Sequence, residues 1–444
     1  MPLLFAFILA ASPANQDELA RAEKLLEQRN FAAAETILRE IAKSEPSNSR
    51  AQGNLVLALL PQGKLREAVD AGRLAAAFGP RSAEARFIYG LALRAAGRNL
   101  EAAREFEKAL SLKPEELGPL EALADSYAAS GDERATAVYE RLLAREPGRR
   151  DLRLGFAEHL WSLGNNGRGG QIAAAALEDF PDFGQLRVRY GRALFDEQRF
   201  LDAAQQLSRA RDLGVGDAAT LGLLGNALWQ AGRIEEARLA LETAVRAYPD
   251  APNLHRDLGR LLLSQGEGDA ALIPLEAAAR LSPRDASASF DLGRAREAVG
   301  RLAEAEEAYT KAKSLSPGLA SPRYALGRLL VRQGRREEGE VELAVYRTLY
   351  ARAAQLQFET ESRRSEILLA ESELSQGRAA AALARLESLP EGVDVLTGRA
   401  RALSRLNRHR EAIQTLERAR ELQPDELRIQ ALLAAERARA QEKR

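Results

Sequence analysis

Residues 217–249 read DAATLGLLGNALWQAGRIEEARLALETAVRAYP, and this stretch decides the fold. Over 219–231 the apolar residues Leu221, Leu224 and Leu228 recur at three- and four-residue spacing, which predicts an amphipathic helix. Gly232 ends it, because glycine enters the left-handed C′ conformation without a Cβ penalty. A second helix is predicted over 235–247, carrying Ala237, Leu241, Ala244 and Val245. Pro249 stops it, lacking an N–H and crowding the preceding turn. Gly225 and Ala237 fall where the two helices face one another. Small side chains there let the backbones come close, and a larger one would overpack the seam at a cost of ~1–3 kcal/mol.

The same pattern repeats along the chain. Prolines stand at 46, 80, 114, 147, 181, 249, 283, 317, 390 and 424; most gaps are 34 residues, one is 33, and 181 to 249 is twice 34. Small residues keep that period at Gly90, Ala124, Ala157, Gly191, Gly225, Gly259, Gly293 and Gly327. So do Ala68, Ala102, Ala135, Ala203, Ala237, Ala271 and Ala305, and the leucines 25, 59, 93, 160, 194, 228 and 262. A period of 34 is the mark of a stacked helix-pair array. One pair is too small to bury both of its apolar faces, so each must lean on its neighbours.

The run Leu224-Gly225-Asn226-Ala227-Leu228-Trp229, with Gly232, Ala237, Leu241, Ala244 and Pro249, resembles the tetratricopeptide repeat (TPR) family. So does Gly90 with Gly97, Ala102, Phe106, Ala109 and Pro114. The resemblance covers residues 15–424, roughly twelve units. It implies an all-α fold: a right-handed superhelical solenoid of antiparallel helix pairs. It also implies a non-catalytic scaffold that holds a peptide or partner domain in a concave groove lined by the first helices. One departure is that the large aromatic usual early in the first helix is replaced by Arg86, Leu221, His255 and Arg323. Those units are expected to be looser for it.

Regularity fails once. Pro317 to Pro390 spans 73 residues, five more than two periods, and 340–376 holds neither Gly nor Pro. The polar stretch Glu359–Glu366 is expected to separate a helix ending near Phe358 from another over Ile367–Leu374. The organisation expected is therefore units 1–10 over 15–350, an irregular joint at 351–364, units 11 and 12 over 365–424, and a capping helix with a charged tail over 425–444. At the other end, Leu3–Ala11 is unbroken apolar sequence followed by Ser12-Pro13-Ala14, which reads as a signal peptide over 1–14. Nine residues span only about 14 Å as a helix, too little to cross a bilayer. A periplasmic or secreted location is expected, with a cytoplasmic adaptor, its apolar start capping the array, as the alternative.

Composition excludes much else. The chain has 444 residues, with 64 Lys+Arg against 64 Asp+Glu, so it lacks the positive excess of a nucleic-acid binder. Cysteine is absent, which removes disulfides, thiolate metal sites and cysteine nucleophiles. The three histidines, His159, His255 and His409, share no helical i, i+4 spacing, so no metal site is read. No nucleophile has an adjacent base, so neither catalytic residues nor a cofactor are expected. A helical-repeat enzyme acting on cell wall would need a recurring acid in a pocket. The turn Gly164-Asn165-Asn166-Gly167-Arg168-Gly169-Gly170 could offer backbone N–H groups to an anion, but no strand precedes it and a loosened interhelix turn is the expected reading.

The candidate contact surface comes from the resemblance, which points two stripes of each first helix into the groove. Trp161, Phe195 and Trp229 recur at 34-residue spacing, as do Phe290 and Tyr324. Beside them run Arg192, Asn226, Arg260, Arg294 and Arg328. Guanidinium forks grip carboxylates in pairs and aromatic faces add area at little entropic cost, so the pattern suits an acidic or aromatic-bearing peptide. The competing reading is periodicity without a ligand role, since only eight of the 64 basic residues are Lys and Arg is the default cation. The asparagine ladder of one TPR groove type is missing, its places held by Ile88, Ala122, Leu223 and Asp257, and of a Lys/Asn clamp only Asn226 is present.

Overall fold

The computed structural model describes residues 13–424 and 426–442. Among them are 24 α-helices, one 3₁₀ turn and no strand. The leader expected over 1–14 lies outside the described residues except for Pro13 and Ala14, which open the first helix, Pro13–Glu27. The chain divides into two compact units, one formed by the chain up to Ile172 together with the chain from Glu391, the other by Ala173–Pro390.

The repeating element is a helical hairpin. Its two helices run Ala218–Gln230 and Ile234–Ala247 in the stretch read first. The Asp217 carboxylate caps the first by accepting from the Thr220 N–H at 2.8 Å. At its end Gly232 takes a φ of 76°, so that its own N–H reaches Trp229 O and the Arg233 N–H reaches Leu228 O, both at 2.9 Å. That paired bonding satisfies two carbonyls the helix would otherwise leave open. Where a glycine stands at the middle of a first helix, it is covered by a large residue sixteen positions later. Gly225 lies under Leu241, Gly191 under Leu207, Gly259 under Leu275, Gly90 under Phe106 and Gly293 under Tyr309. Ala237 is fully buried in the same seam, but Leu241 is the side chain that fills the space above Gly225.

Neighbouring hairpins share their apolar faces. Within the 173–390 unit one core runs from Leu194 through Leu224, Leu241, Leu258 and Leu275 to Ala295. Each fully buried leucine contributes about 2 kcal/mol relative to exposure, and none of the hairpins could supply that burial alone.

The units without the early aromatic are not left open. The residue six positions after the closing proline turns back and bonds that proline's carbonyl: Gln52 to Pro46 at 3.2 Å, Arg153 to Pro147 and Arg187 to Pro181 at 2.8 Å, His255 to Pro249 at 2.7 Å. Arginines at this position also reach the second helix of their own pair. Arg86 bonds Glu105 at 2.9 Å, Arg187 bonds Gln206 at 2.7 Å and Arg323 bonds Glu342 at 2.9 Å. A polar clamp thus holds the place expected to be loose at Arg86, His255 and Arg323, and at the arginines a long cationic stem can pack while its head finds a carboxylate partner.

The break expected at 359–366 does not exist. One helix of 40 residues runs Arg336–Ser375, through the joint expected at 351–364. Polarity alone does not end a helix: 359–366 reads ETESRRSE, in which three Glu and two Arg favour helix and neither Gly nor Pro breaks it. Gln355 to Glu359 and Gln357 to Glu361, each at 2.9 Å, add i, i+4 support, and the Thr360 hydroxyl donates back to Leu356 O at 2.7 Å. The terminal helix expected over 425–441 runs Leu427–Glu442 and buries Ile429 and Leu433.

One buried carboxylate gives the first hairpins a pH signature. Glu35, 7% exposed, accepts from Lys64 at 2.7 Å, Arg39 at 2.8 Å and Gln62 at 2.7 Å. The Lys64 bond, with those from Arg39 and Gln62, holds its carboxyl at about 2 against the ordinary 4.5. A depressed carboxylate stabilises the fold above its unfolded value and loses that contribution as pH falls through the folded one. Glu35→Gln should therefore lower the urea midpoint at pH 7, and the gap to the parent should close as pH drops from 4.5 toward 2. A gap independent of pH would show that the charge contributes nothing.

Candidate functional surface

In the 173–390 unit the first helices Gly184–Asp196, Ala218–Gln230, Pro252–Ser264, Ala286–Ala298 and Ala320–Arg332 carry the expected ladder. Arg192, Arg260, Arg294 and Arg328 are exposed, and Asn226 is half-buried. Three of the arginines stand over aromatic rings. Arg260 lies 5.7 Å from the Trp229 ring centre, on the preceding first helix. Arg294 lies 6.0 Å from Phe290 and Arg328 5.6 Å from Tyr324, each pair one turn apart on its own helix. Cations so placed are held by the ring quadrupole, with Arg294 also paired to Asp291 on its own helix. Tyr324 extends the aromatic run, packing 4.9 Å from Tyr346, which lies 5.8 Å from Tyr350.

The other aromatics do less at the surface. Phe195 meets Phe200 edge-on at 5.2 Å and, like Trp229, packs against the core. Trp161 belongs to the other unit, half-buried, with its indole over Gly169 where a Cβ would sit only 2.5 Å from Nε1. That contact gives the glycine-rich turn a packing role: Gly167, Gly169 and Gly170 lie within the helix Asn166–Asp179, and Gly169 is bare to admit the indole.

Two carboxylates beneath the ladder were not singled out as a pair. Asp257 and Asp291, 8% and 5% exposed, stand 34 residues apart on successive first helices. Asp257 accepts from Asn226 Nδ2 at 2.9 Å, and Asp291 lies 3.5 Å from Arg294 Nη1. Burial pushes both carboxyls above the ordinary range, with Asn226, Arg256 and Arg260 opposing it at Asp257, and Arg260, Arg294 and Arg256 at Asp291. The spacing was available in the sequence, where Asp257 was noted only as a missing asparagine. The ladder is therefore a row of exposed guanidinium groups partly balanced from below.

The family model for the tetratricopeptide repeat matches residues 19–83, 72–116, 154–218, 223–286 and 274–320, and a second tetratricopeptide repeat model matches 373–436. The chain belongs to the tetratricopeptide repeat family. The TPR matches take in the first helices bearing Arg192, Arg260 and Arg294, and together they span more than half the chain. No curated protein matches it. Solved structures similar to this TPR chain include MamA from Desulfovibrio magneticus RS-1, 23% identical, covering 38% of this chain and 95% of that one with a TM-score of 0.36. YrrB, titled a TPR protein with an unusual peptide-binding site, is 19% identical, covering 42% of this chain and 96% of that one at 0.38. A chain of the APC/C hetero-tetramer Cut9-Hcn1 is 16% identical, covering 76% of this chain and 73% of that one at 0.38. All three TM-scores lie below 0.5.

Among the described residues no three His, Cys, Asp or Glu side chains gather as a metal site would require, and no helix is long and apolar enough to cross a membrane. The histidines have structural places. His159 is buried 3.2 Å from Thr136 Oγ1, His255 serves the Pro249 clamp, and His409 Nδ1 lies 2.9 Å from Glu436.

Proposed function

We propose that the protein is a non-catalytic interaction scaffold that takes an extended acidic, aromatic-bearing peptide or partner segment along the first helices of its 173–390 unit. The observation that carries this reading is the recurrence of an exposed guanidinium over an aromatic ring on three first helices: Arg260 with Trp229, Arg294 with Phe290, Arg328 with Tyr324. Such pairs offer paired donors for carboxylates beside flat apolar area, at a 34-residue recurrence that suits an extended ligand. The apolar run Leu3–Ala11 supports export to a periplasmic or secreted location. Mass spectrometry of the mature chain tests that part, and an intact Met1 sinks it.

The surface is tested with acidic, aromatic-containing peptides titrated onto the full chain. Changing Arg260, Arg294 and Arg328 together to Glu is expected to weaken binding at least a hundredfold while far-UV circular dichroism stays unchanged. Asp291→Asn should do the reverse and tighten binding severalfold, because it removes the carboxylate that partly neutralises Arg294. Both effects should shrink with added salt, since the charges are exposed. Unaltered binding by the triple variant would refute this surface and leave the fold untouched.

A further inference from the structure

In each regular unit the second helix is covered by the first helix of the next unit, and the long helix Arg336–Ser375 departs from that rule. Its start pairs with Ala320–Arg332 and its end with Ala379–Glu387. Between them residues 351–362 are exposed on every side, including Leu356 at 55% and Phe358 at 71%. These three turns gain nothing from tertiary packing. The apolar groups left open there ask for an occupant.

The sequence along this helix says which one. Val341, Thr348, Gln355, Ser362 and Leu369 follow one another at seven-residue spacing, and Val345, Arg352 and Glu359 do so beside them. That stripe is apolar at its ends, at Val341, Val345 and Leu369, and polar between them, so charge more than apolar burial sets how a second helix lies along it, with Leu356 on its flank. Val341 is 63% exposed and Leu369 47%, so both ends are open. The charges are segregated: from 343 to 358 the only ones are Arg347 and Arg352, whereas 359–373 holds five Glu and two Arg. A parallel pairing of this helix with itself would set Arg352 on Arg352 and Glu359 on Glu359. An antiparallel pairing about the centre near Gln355 and Leu356 sets Arg352 against Glu359 twice, and brings the valine end of each helix to the leucine end of the other. We propose that a second copy of this chain lies antiparallel along the exposed side of Arg336–Ser375, forming a two-fold dimer through its central turns.

The contact is small, so association belongs in the micromolar range. Sedimentation equilibrium on the full chain from roughly 1 to 200 μM should show a monomer–dimer equilibrium. Arg352→Glu and Glu359→Arg should each weaken it at least tenfold, and the double variant, with the charges exchanged, should restore it. Circular dichroism should not move in any of the three, since both residues are exposed. The chain has no cysteine, so an introduced one reports its own contact. With a short bis-maleimide, Gln355→Cys should cross-link to its copy, while Val341→Cys, far from the two-fold axis, should not. Cross-linking at Val341→Cys would make the pairing parallel and overturn the proposal. So would a parent that stays monomeric throughout, as it would if a different partner covered the helix. A dimer indifferent to both charge reversals would place the interface elsewhere and overturn it equally.

Discussion

Replacing Phe106 by alanine is expected to cost about 3–5 kcal/mol, and to reverse the sign of a second substitution sixteen residues away. Phe106 has no exposed surface, and its ring lies over Gly90 on the first helix of its own pair, tilted against Phe87 at 5.7 Å. Removing the ring leaves a cavity that the two backbones, already in register along thirteen- and fourteen-residue helices, cannot close. Gly90→Ala alone should also destabilise. A methyl there lands on the ring, and overpacking of ~1–3 kcal/mol outweighs the ~1 kcal/mol that alanine gains over glycine within a helix. On the Phe106→Ala background the clash is gone, and Gly90→Ala should then stabilise by about 1 kcal/mol. Urea denaturation of the four chains completes the cycle, with hydrogen exchange over 83–112 showing that the change is local, as an array in which each unit contacts only its neighbours requires. A destabilising Gly90→Ala in both backgrounds would mean that Phe106 is not what the glycine makes room for.

That seam was legible because it leaves residues no alternative. A second helix must stop before a first one can start, which puts proline at 249 and its counterparts. A helix must reverse within a few residues, which puts Gly232 in the left-handed region at φ 76°. The need for room under Phe106 or Leu241 puts glycine at 90 and 225. Where side chains can meet the same demand in several ways, the reading was poorer. Gln198 closes its turn at φ 61° with no glycine to announce it. The polarity of 359–366 suggests a joint, yet the stretch holds no Gly or Pro to break the helix that runs through it. At the candidate surface, period alone located Arg260, Arg294 and Arg328. That Arg260 stands over Trp229 of the preceding first helix is a tertiary fact, as is the burial of Asp257 and Asp291 below the ladder. A 34-residue period says which residues share a position and is silent on what lies beneath it.

The same limit hid the clamp, and Arg187 is where removing it should matter most. Arg187 is 4% exposed, with Nη2 2.8 Å from Pro181 O and Nη1 2.7 Å from Gln206 Oε1, and burial pushes its guanidinium below the ordinary value. One side chain thus ties the closing turn of the preceding hairpin to the second helix of its own. Arg187→Ala removes the stem's packing and leaves two polar groups without this donor, a loss of about 2–4 kcal/mol. Arg187→Lys keeps the charge and most of the stem but has no planar fork to reach both acceptors at once, so it should recover only part of that loss. Arg187→Tyr tests the substitution from the family's side: a ring at this position should regain packing without the fork, leaving the chain closer to the parent than the lysine variant does. Arg153→Ala is the control, since Arg153 makes the corresponding bond to Pro147 at 2.8 Å but is only half-buried, and its loss should be the smaller. Denaturation midpoints that place lysine above tyrosine, with tyrosine level with alanine, would show that the bonds and not the occupied volume hold these hairpins together. The ranking tyrosine, lysine, alanine would show that an arginine and an aromatic ring are two solutions to one packing requirement.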